Sequence, residues 1–566
     1  MALTMIPYLV GFSLSNGKHF LWLGYNFDDS CVYLSWMRQA AEGSTKTLNL
    51  FTTDPQSGLA PNPFFWVLGV TARITHLPLI FVYHVSRLLC GFVLLVVVNE
   101  LIISTLAKTR ERTLAFLFVC FSSGVGWLPV FWNVAAPQPI DTWQPEAITF
   151  LSLLLSPLFC FSLSLQAGII LLLLKAERTS NFKFAIFAGV LGLALGMTHT
   201  YDVVSISAFW VAYLLKQTFF PSHLLTNKTV NKTLIWLHAA IAGAITMPAV
   251  GFIYYQLQHE TVFRERANVQ TPSAELRWVL LGYGVTLALA LLGAISCKLT
   301  EKLNPSKEKL EIEPEQRQET PWLLIIWAIT NIAVSYLPTA FQRKMLQGAH
   351  LPIAILAGAG AVWLFDKLDM PIFKKRFLLY ALCITLLLSP TNLLFMLREI
   401  SGYAANLAHT QIHRTAIQLG EIEALKWIET NTPPNSAVQP LPWIDLLTSD
   451  QGRTQVYPKD IALACLTPGL AHRAVYCGHW GETPDYGTKL SEVSRLLQDR
   501  TSDEERIALL KKMKVQYLIF SQKSSVASDE RLNRLMPVFR DQLPTPRYLK
   551  LKYSNQDADI YEFAPD

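Results

Sequence analysis

The chain has 566 residues, 51% of them hydrophobic and 16% charged, with a net charge of +6 and a mean hydropathy of +0.29. Soluble domains carry about 25% charged residues, so this composition excludes an ordinary globular protein and makes the lipid bilayer its partner. The basic excess sits in short loops between apolar runs, where it reports topology and is no nucleic-acid signature. Eight cysteines are scattered without zinc or disulfide spacing. Only Cys465 and Cys477 share a polar segment, and a bridge and an unpaired pair are both open there.

Residues 1–14 are apolar but shorter than the roughly 20 residues a span needs. No basic region precedes them, as a signal peptide requires. They read as the outer part of a first span whose inner end is missing, as a start codon assigned downstream would produce. The polar stretch 15–76 then carries Asn26-Phe27-Asp28-Asp29-Ser30-Cys31-Val32-Tyr33. Helix capping accounts for one acid of this pair. The second, at membrane depth, points to function. Val32, Tyr33, Trp36, Met37 and Ala40 recur at helical spacing with Ser35, Arg38 and Gln39 between them, which predicts an amphipathic helix in the interface. Asn62-Pro63-Phe64-Phe65-Trp66 forms an aromatic interfacial entry.

Apolar spans follow at about 77–104, 113–132, 158–174, 184–198, 202–215, 233–255, 277–297, 321–340, 350–365 and 377–397. With the first segment they make about eleven transmembrane helices. Gly189, Gly192 and Gly196 allow close helix approach. Every second loop is basic: Lys108, Arg110 and Arg112, then Lys175, Arg178 and Lys183, then Lys216, Lys228 and Lys232. Lys298, Lys302, Lys307, Lys309 and Arg317 follow, and finally Lys367, Lys374, Lys375 and Arg376. The loop 133–147 has neither Lys nor Arg. Basic loops face the cytoplasm. The N-terminus is therefore expected inside, and the acid pair, the 133–147 loop and everything after Arg398 outside. The sequons at Asn227 and Asn231 then fall in the cytoplasm and are discounted.

From about Ser401 the composition becomes that of a soluble domain. A helix at 420–429, a capping box at Ser502 and Glu505, a buried strand at 515–520 and a hairpin of 548–553 with 559–563 predict a small α/β domain. The expected organisation is thus an α-helical polytopic membrane domain over 1–400, with outer loops at 15–76 and 133–147, and an extracytoplasmic α/β domain over 401–566. Within the latter, His479 and Glu482 flank Trp480. They read as substrate contacts or, more commonly for such a segment, as a turn around Gly478 and Gly481.

Other outward groups are Trp127, Trp132, Asp141, Trp143 and Glu146 in the second outer loop, and His199, Tyr201 and Asp202 in a very short turn. Trp belongs at interfaces in any case, and a turn needs polar residues, but aromatic faces beside carboxylates also suit a sugar. Two cation pairs lie on the face where basic residues are scarce: Arg343 with Lys344, and Arg264 with Arg266. Arg offers a fork and Lys a point charge to a phosphate.

A short first span, acids in the first outer loop, an interfacial helix, many further spans and an outer α/β domain together resemble the GT-C superfamily of integral-membrane glycosyltransferases. Its members include protein mannosyltransferases, lipid A aminoarabinose transferase and oligosaccharyltransferases. The segment from Asn26 to Tyr33 is similar to the first-loop acid motif of bacterial members. The segments 144–150, 341–344 and 427–438 are similar to an uncharacterised bacterial branch. The resemblance implies a polyprenyl-phosphate sugar donor used on the outer face of the inner (plasma) membrane, and an inverting displacement. It implies Asp28 or Asp29 as general base, and Arg343 and Lys344, or Arg264 and Arg266, against the donor phosphate. Asp141 or Glu146 would orient the acceptor or help hold a divalent ion such as Mg or Mn, which some relatives use and others do not. The sugar, the acceptor and the oligomeric state stay open. The short first span departs from the family pattern. The alternatives are a transporter or flippase of lipid-linked or polymeric sugars, and a non-catalytic assembly protein on the same scaffold. Transporters show internal repeats and mid-membrane charges; here no repeat is visible and the charges gather at one face.

Overall fold

The computed structural model describes all residues except 130–136, 221–231, 304–319, 369–372, 374, 408–412, 449–453, 499, 524–544 and 566. Trp132, Asn227, Lys228, Asn231, Lys307, Lys309, Arg317 and Lys374 therefore lie outside the described residues, as do the side chains of Lys298 and Lys302. The chain folds as two compact units. One comprises Met1–Thr4, His84–Tyr255 and Gln270–Leu397; the other Met5–Tyr83, Gln256–Val269 and Arg398–Asp566.

Among the described residues each expected apolar span contains a helix, not always over its full length. Among the described residues, five are long and apolar enough to cross a membrane: Leu79–Thr105, Pro157–Thr179, Lys232–His259, Leu276–Ser296 and Gln342–Lys367. A sixth crossing arises if Phe377–Leu387 and Pro390–Ala405, bent by 57°, count as one. The bend falls at Pro390, which has no N–H to donate and disfavours a helical residue before it. Ala2–Ser13, Phe182–Thr198 and Trp322–Val334 are shorter.

The span expected at 113–132 is a helix only over Thr109–Phe121. The chain leaves it at Ser122 because the next amides have other acceptors. Ser123 N–H donates to Leu388 O at 2.7 Å, and Gly124 and Gly126 N–H both donate to Asp141 Oδ2, at 2.9 and 3.3 Å.

The expected close approach by glycine is present in the membrane unit. A Cβ on Gly192 would stand 2.1 Å from Thr246 Oγ1, and one on Gly189 3.0 Å from Ala242 O, so helices Phe182–Thr198 and Lys232–His259 meet almost backbone to backbone.

In the other unit, a four-stranded sheet runs Val438–Pro440, Tyr517–Phe520, Asp559–Phe563, Leu549–Ser554 in spatial order. The first pair is parallel and the others antiparallel. Helices Leu419–Asn431 and Asp503–Met513 alternate with these strands, so this piece is α/β as composition implied. Its core gathers Leu441, Tyr476, Leu497, Leu510, Met513 and Phe520.

Two N-terminal pieces join it. His19–Phe20 pairs antiparallel with Ala416–Ile417. Helix Phe27–Ala41 packs on Pro63–Thr75, where Tyr33 stacks on Phe65 at 4.3 Å, and on Ala462–Leu470, where Gly469 abuts Leu34. The expected amphipathic helix with an open polar face is not what forms. Ser35 and Gln39 are buried beside Val32, Tyr33 and Met37. Gln39 is satisfied by the Leu48 backbone, accepting from its N–H at 2.8 Å and donating to its C=O at 3.0 Å. Residues 42–75 fold back over the polar face and cover it.

Candidate active site

In helix Phe27–Ala41 the cap position belongs to Asn26, and Asp28 and Asp29 follow in the first turn. Neither acid is therefore the N-cap. Asp28 is 4% exposed and Asp29 is half-buried.

The partner of Asp28 is His413, whose Nε2 lies 2.5 Å from Asp28 Oδ1. The imidazole also stacks on Phe27, with centroids 4.7 Å apart and planes at 23°. His413 is held by its neighbour. Arg414 N–H donates to Asp460 Oδ1 at 3.0 Å, and its guanidinium donates to Asp460 Oδ2 at 2.7 Å and to both Glu421 oxygens at 2.8 Å. The guanidinium lies 3.9 Å from the Trp443 ring centroid. Burial opposes its charge, but the two carboxylates outweigh that and push its pKa up.

Burial works to raise the Asp28 carboxyl. The charge and hydrogen bond of His413, then the charge of His479 and a hydrogen bond from Trp480, overcome it and hold the carboxyl below its ordinary value. Asp28 and His413 face a cavity of about 170 Å³ lined also by Pro458, Ile461, Trp480, Tyr486 and Leu490. An ionised carboxylate beside two aromatic rings in a small cleft can take a proton from a hydroxyl and stack a sugar ring.

The segment around Trp480 folds as the glycine-centred turn. His479 Nδ1 accepts from Gly481 N–H at 2.9 Å and Glu482 N–H at 3.0 Å. Thr483 Oγ1 donates to Phe51 O at 2.8 Å. Glu482 is buried and pairs with Arg266 Nε at 2.5 Å, and Arg266 lies 5.1 Å from the Trp36 ring centroid. Arg264, on the same helix Thr261–Ala267, is exposed. Asp28, His479, Glu482 and Arg266 thus belong to one unit. Sequence reasoning missed His413, which no spacing or motif marks.

Cys465 and Cys477 are both free thiols. Cys465 donates to Gly478 O at 2.5 Å, and burial pushes its pKa well up. With Asp28 and His413 it brings three potential ligand atoms within 4.8 Å of one another, the one such cluster among the described residues. A carboxylate, an imidazole and a thiol suit a zinc-type ion; Mg and Mn take oxygen ligands. These residues do not fit Mg or Mn.

The remaining candidates lie in the membrane unit. Asp141 is fully buried and binds the backbone amides of Gly124 and Gly126. Burial lifts its carboxyl to about 7 against those bonds and one from Thr391. The cationic turn Gln342–Leu346 is pinned from three sides. Gln144 Nε2 donates to Arg343 O at 2.9 Å, Arg343 N–H to Thr271 O at 3.1 Å, and Ser205 Oγ to Met345 O at 3.0 Å. Arg343 sits 5.6 Å from the Trp143 ring centroid, with its Nε 3.8 Å from Glu146 Oε1. Lys344 sits 5.2 Å from the Tyr201 ring centroid. Tyr201 OH is 2.6 Å from His199 Nε2, and His199 Nδ1 is 2.7 Å from Asp202 Oδ2. Glu146, Arg343, Lys344, His199, Tyr201 and Asp202 are thus brought together, and Asp141 serves the backbone beside them.

No protein-family model and no curated protein matches the chain. Solved structures do. The archaeal oligosaccharyltransferase AglB of Archaeoglobus fulgidus, in complex with an inhibitory peptide and a dolichol-phosphate, aligns with a TM-score of 0.51 and 12% identity over 93% of this chain and 69% of that one. The Archaeoglobus fulgidus oligosaccharyltransferase tethered to an acceptor peptide gives 0.52 and 13%, over 95% and 70%. ArnT of Cupriavidus metallidurans in the apo state gives 0.50 and 12%, over 99% and 97%. At these identities the likeness is one of fold. The chain has the fold of the GT-C membrane glycosyltransferases.

Proposed function

We propose that this protein transfers a sugar from a polyprenyl-phosphate donor to an acceptor hydroxyl by a single inverting displacement, on the outer face of the inner membrane. The observation that carries the reading is the buried, ionised Asp28 at the cleft with His413, Trp480 and Tyr486, in a chain with this fold. A carboxylate is expensive to bury, and this one is kept charged rather than neutralised.

Asp28 acts as general base on the acceptor hydroxyl. His413 orients the carboxylate and keeps it ionised. The sugar ring stacks on Trp480 or Tyr486. As the bond from the anomeric carbon to the carrier breaks, its electron pair moves to the phosphate; the cations proposed to offset that growing charge are Arg343 and Lys344 of the membrane unit, by their chemistry alone. Glu146 sets the position of Arg343. Asp29, half-buried one residue on, tunes the field of the site and takes no proton.

The test is transfer from labelled polyprenyl-phosphate sugars to a panel of acceptors by the full chain in proteoliposomes. Asp28→Asn should fold, insert and lose about 10²–10⁴ in rate, with Asp29→Asn much milder. A fully active Asp28→Asn variant returns the acid to a structural role and removes the reading.

A further inference from the structure

The relay formed by Asp202, His199 and Tyr201 has no part in the chemistry above, yet it ends at the cationic turn. His199 is 4% exposed and Asp202 is fully buried. His199 lies in the connection between helices Phe182–Thr198 and Tyr201–Phe219, and Asp202 in the first turn of the second. Asp202 Oδ2 takes the His199 Nδ1 contact, while its Oδ1 has no hydrogen-bond partner among the described residues. The carboxylate therefore spends its charge on the imidazole. His199 Nε2 faces the Tyr201 hydroxyl at 2.6 Å. The Tyr201 ring lies near both Lys344 and Phe341, the latter at 5.8 Å between centroids. A turn that needed only polar residues has no use for three groups in series, with the charged member at the buried end and the phenol beside a lysine.

We propose that Tyr201, backed by His199 and Asp202, donates a hydrogen bond to the phosphate of the polyprenyl carrier held by Lys344 and Arg343. The inference rests on the proposed transfer reaction and adds a residue to it. In the displacement, the bond between the anomeric carbon and the phosphate oxygen breaks, and both electrons stay on that oxygen. The acceptor oxygen bonds to the carbon, and its proton goes to the general base of the transfer. The carrier passes from a phosphodiester monoanion to a phosphomonoester dianion. Tyr201 O–H points to that oxygen while the phenol oxygen rests against His199 Nε2, and Asp202 holds the imidazole at Nδ1. No proton leaves the relay, so it ends the step as it began. Because the phosphate gains charge as it leaves, the donor strengthens its bond in the transition state.

The experiment measures binding of undecaprenyl phosphate to the full chain in nanodiscs, beside transfer from polyprenyl-phosphate sugars. Tyr201→Phe keeps the ring under Lys344 and removes only the hydroxyl. It should weaken binding about 10-fold, the usual size for a hydrogen bond to a charged group, and lower turnover by at least as much. His199→Gln should cost nearly as much alone and nothing further in the Tyr201→Phe background, since it acts through the phenol. A merely structural pair would give additive losses and a lowered unfolding temperature. Lys344→Ala reports the anion site by itself. Wild-type binding and turnover in Tyr201→Phe overturn the inference while leaving the transfer reading intact. Additive losses from His199→Gln and Tyr201→Phe also overturn it. If the wild-type chain neither binds undecaprenyl phosphate nor transfers from any donor, both fall together.

Discussion

His413 Nε2 stands 2.5 Å from Asp28 Oδ1, with both side chains about 5% exposed. Burial alone raises a carboxyl, so His413 is what keeps this one below its ordinary value. His413→Gln leaves a hydrogen-bond donor but removes the charge. His479, the neutral Trp480 donor and the neutral Gln amide then remain to oppose burial, without the His413 imidazole. The Asp28 carboxyl should rise, and the acid limb of the pH–rate profile should move to higher pH. A depressed carboxyl stabilises above its unfolded pKa and loses that stability as the pH falls, so His413→Gln should forfeit this contribution near neutrality and lose less stability than wild type on acidification. An unmoved acid limb separates His413 from the base.

Arg414 places His413, and it does so with two buried carboxylates. Removing one partner from a buried ionic network costs about 3–5 kcal/mol because the others stay charged without compensation. Arg414→Met should lower the unfolding free energy by that order. Arg414→Lys keeps the charge but cannot reach Asp460 and both Glu421 oxygens together. It should recover part of the stability and little of the activity. Equal stability of Arg414→Met and wild type in detergent unfolding would contradict this.

The acid pair could be read from sequence because carboxylates next to an apolar segment are costly whatever surrounds them, and Asp28 is where the charge sits. The cations of 343 and 344 stood out for a similar reason, being on the face poor in Lys and Arg. His413 could not be found this way, since nothing local distinguishes it; the pairing of His19–Phe20 with Ala416–Ile417 and the packing of helix Ala462–Leu470 against Phe27–Ala41 bring the two parts of the chain together. Helical periodicity located the helix after Asp28, yet it could not foresee that residues 42–75 would cover its polar face. The early stop at Phe121 was equally hidden, because it depends on amides of Gly124 and Gly126 finding the distant Asp141.

Asp141 was a candidate for positioning substrate or metal, and its surroundings give it a backbone role that can be tested. Asn supplies an acceptor oxygen to the same two amides, whereas Ala leaves them unpaired at about 1–3 kcal/mol each. Asp141→Asn should be as stable as wild type near neutrality and Asp141→Ala clearly less so. The pH dependence has the opposite sign to that of Asp28. A carboxyl raised from 3.8 to about 7 in the folded state favours folding when protonated. Its contribution is full below the unfolded pKa and is lost as the pH rises through about 7. Asp141→Asn should flatten that decline. Activity abolished in a stable Asp141→Asn variant would restore the substrate role.

Orientation is tested independently of chemistry. The proposed reaction needs the N-terminus inside and the piece after Arg398 outside, the orientation expected from the alternation of basic loops. A phosphatase fusion after Arg398 should be active and a fluorescent-protein fusion, which needs the cytoplasm, dark. The reverse result would put Asp28 on the wrong face for a lipid-linked donor.

Arg343 offers the sharpest contrast between a phosphate clamp and a lipid anchor. Its Nε has no hydrogen-bond partner among the described residues, and the Glu146 carboxylate at 3.8 Å is too far to provide one. Trp143 supports the flat face of the guanidinium, which leaves the edge that carries the fork available to an anion. A side chain snorkelling to head groups needs only its charge, so Arg343→Lys should then be silent. A clamp loses its second hydrogen bond and its stacking on Trp143, although the charge is unchanged. We expect Arg343→Lys to raise the apparent KM for a polyprenyl-phosphate sugar and to lower kcat, because the interaction tightens as the phosphate gains charge. Lys344→Ala should do the same through loss of a point charge. Trp143→Leu should weaken the Arg343 enzyme and have little effect in the Arg343→Lys background. Unchanged kinetics in Arg343→Lys and Lys344→Ala would release this turn from the site and direct the search to Arg264, the exposed cation of its pair, since Arg266 is committed to Glu482.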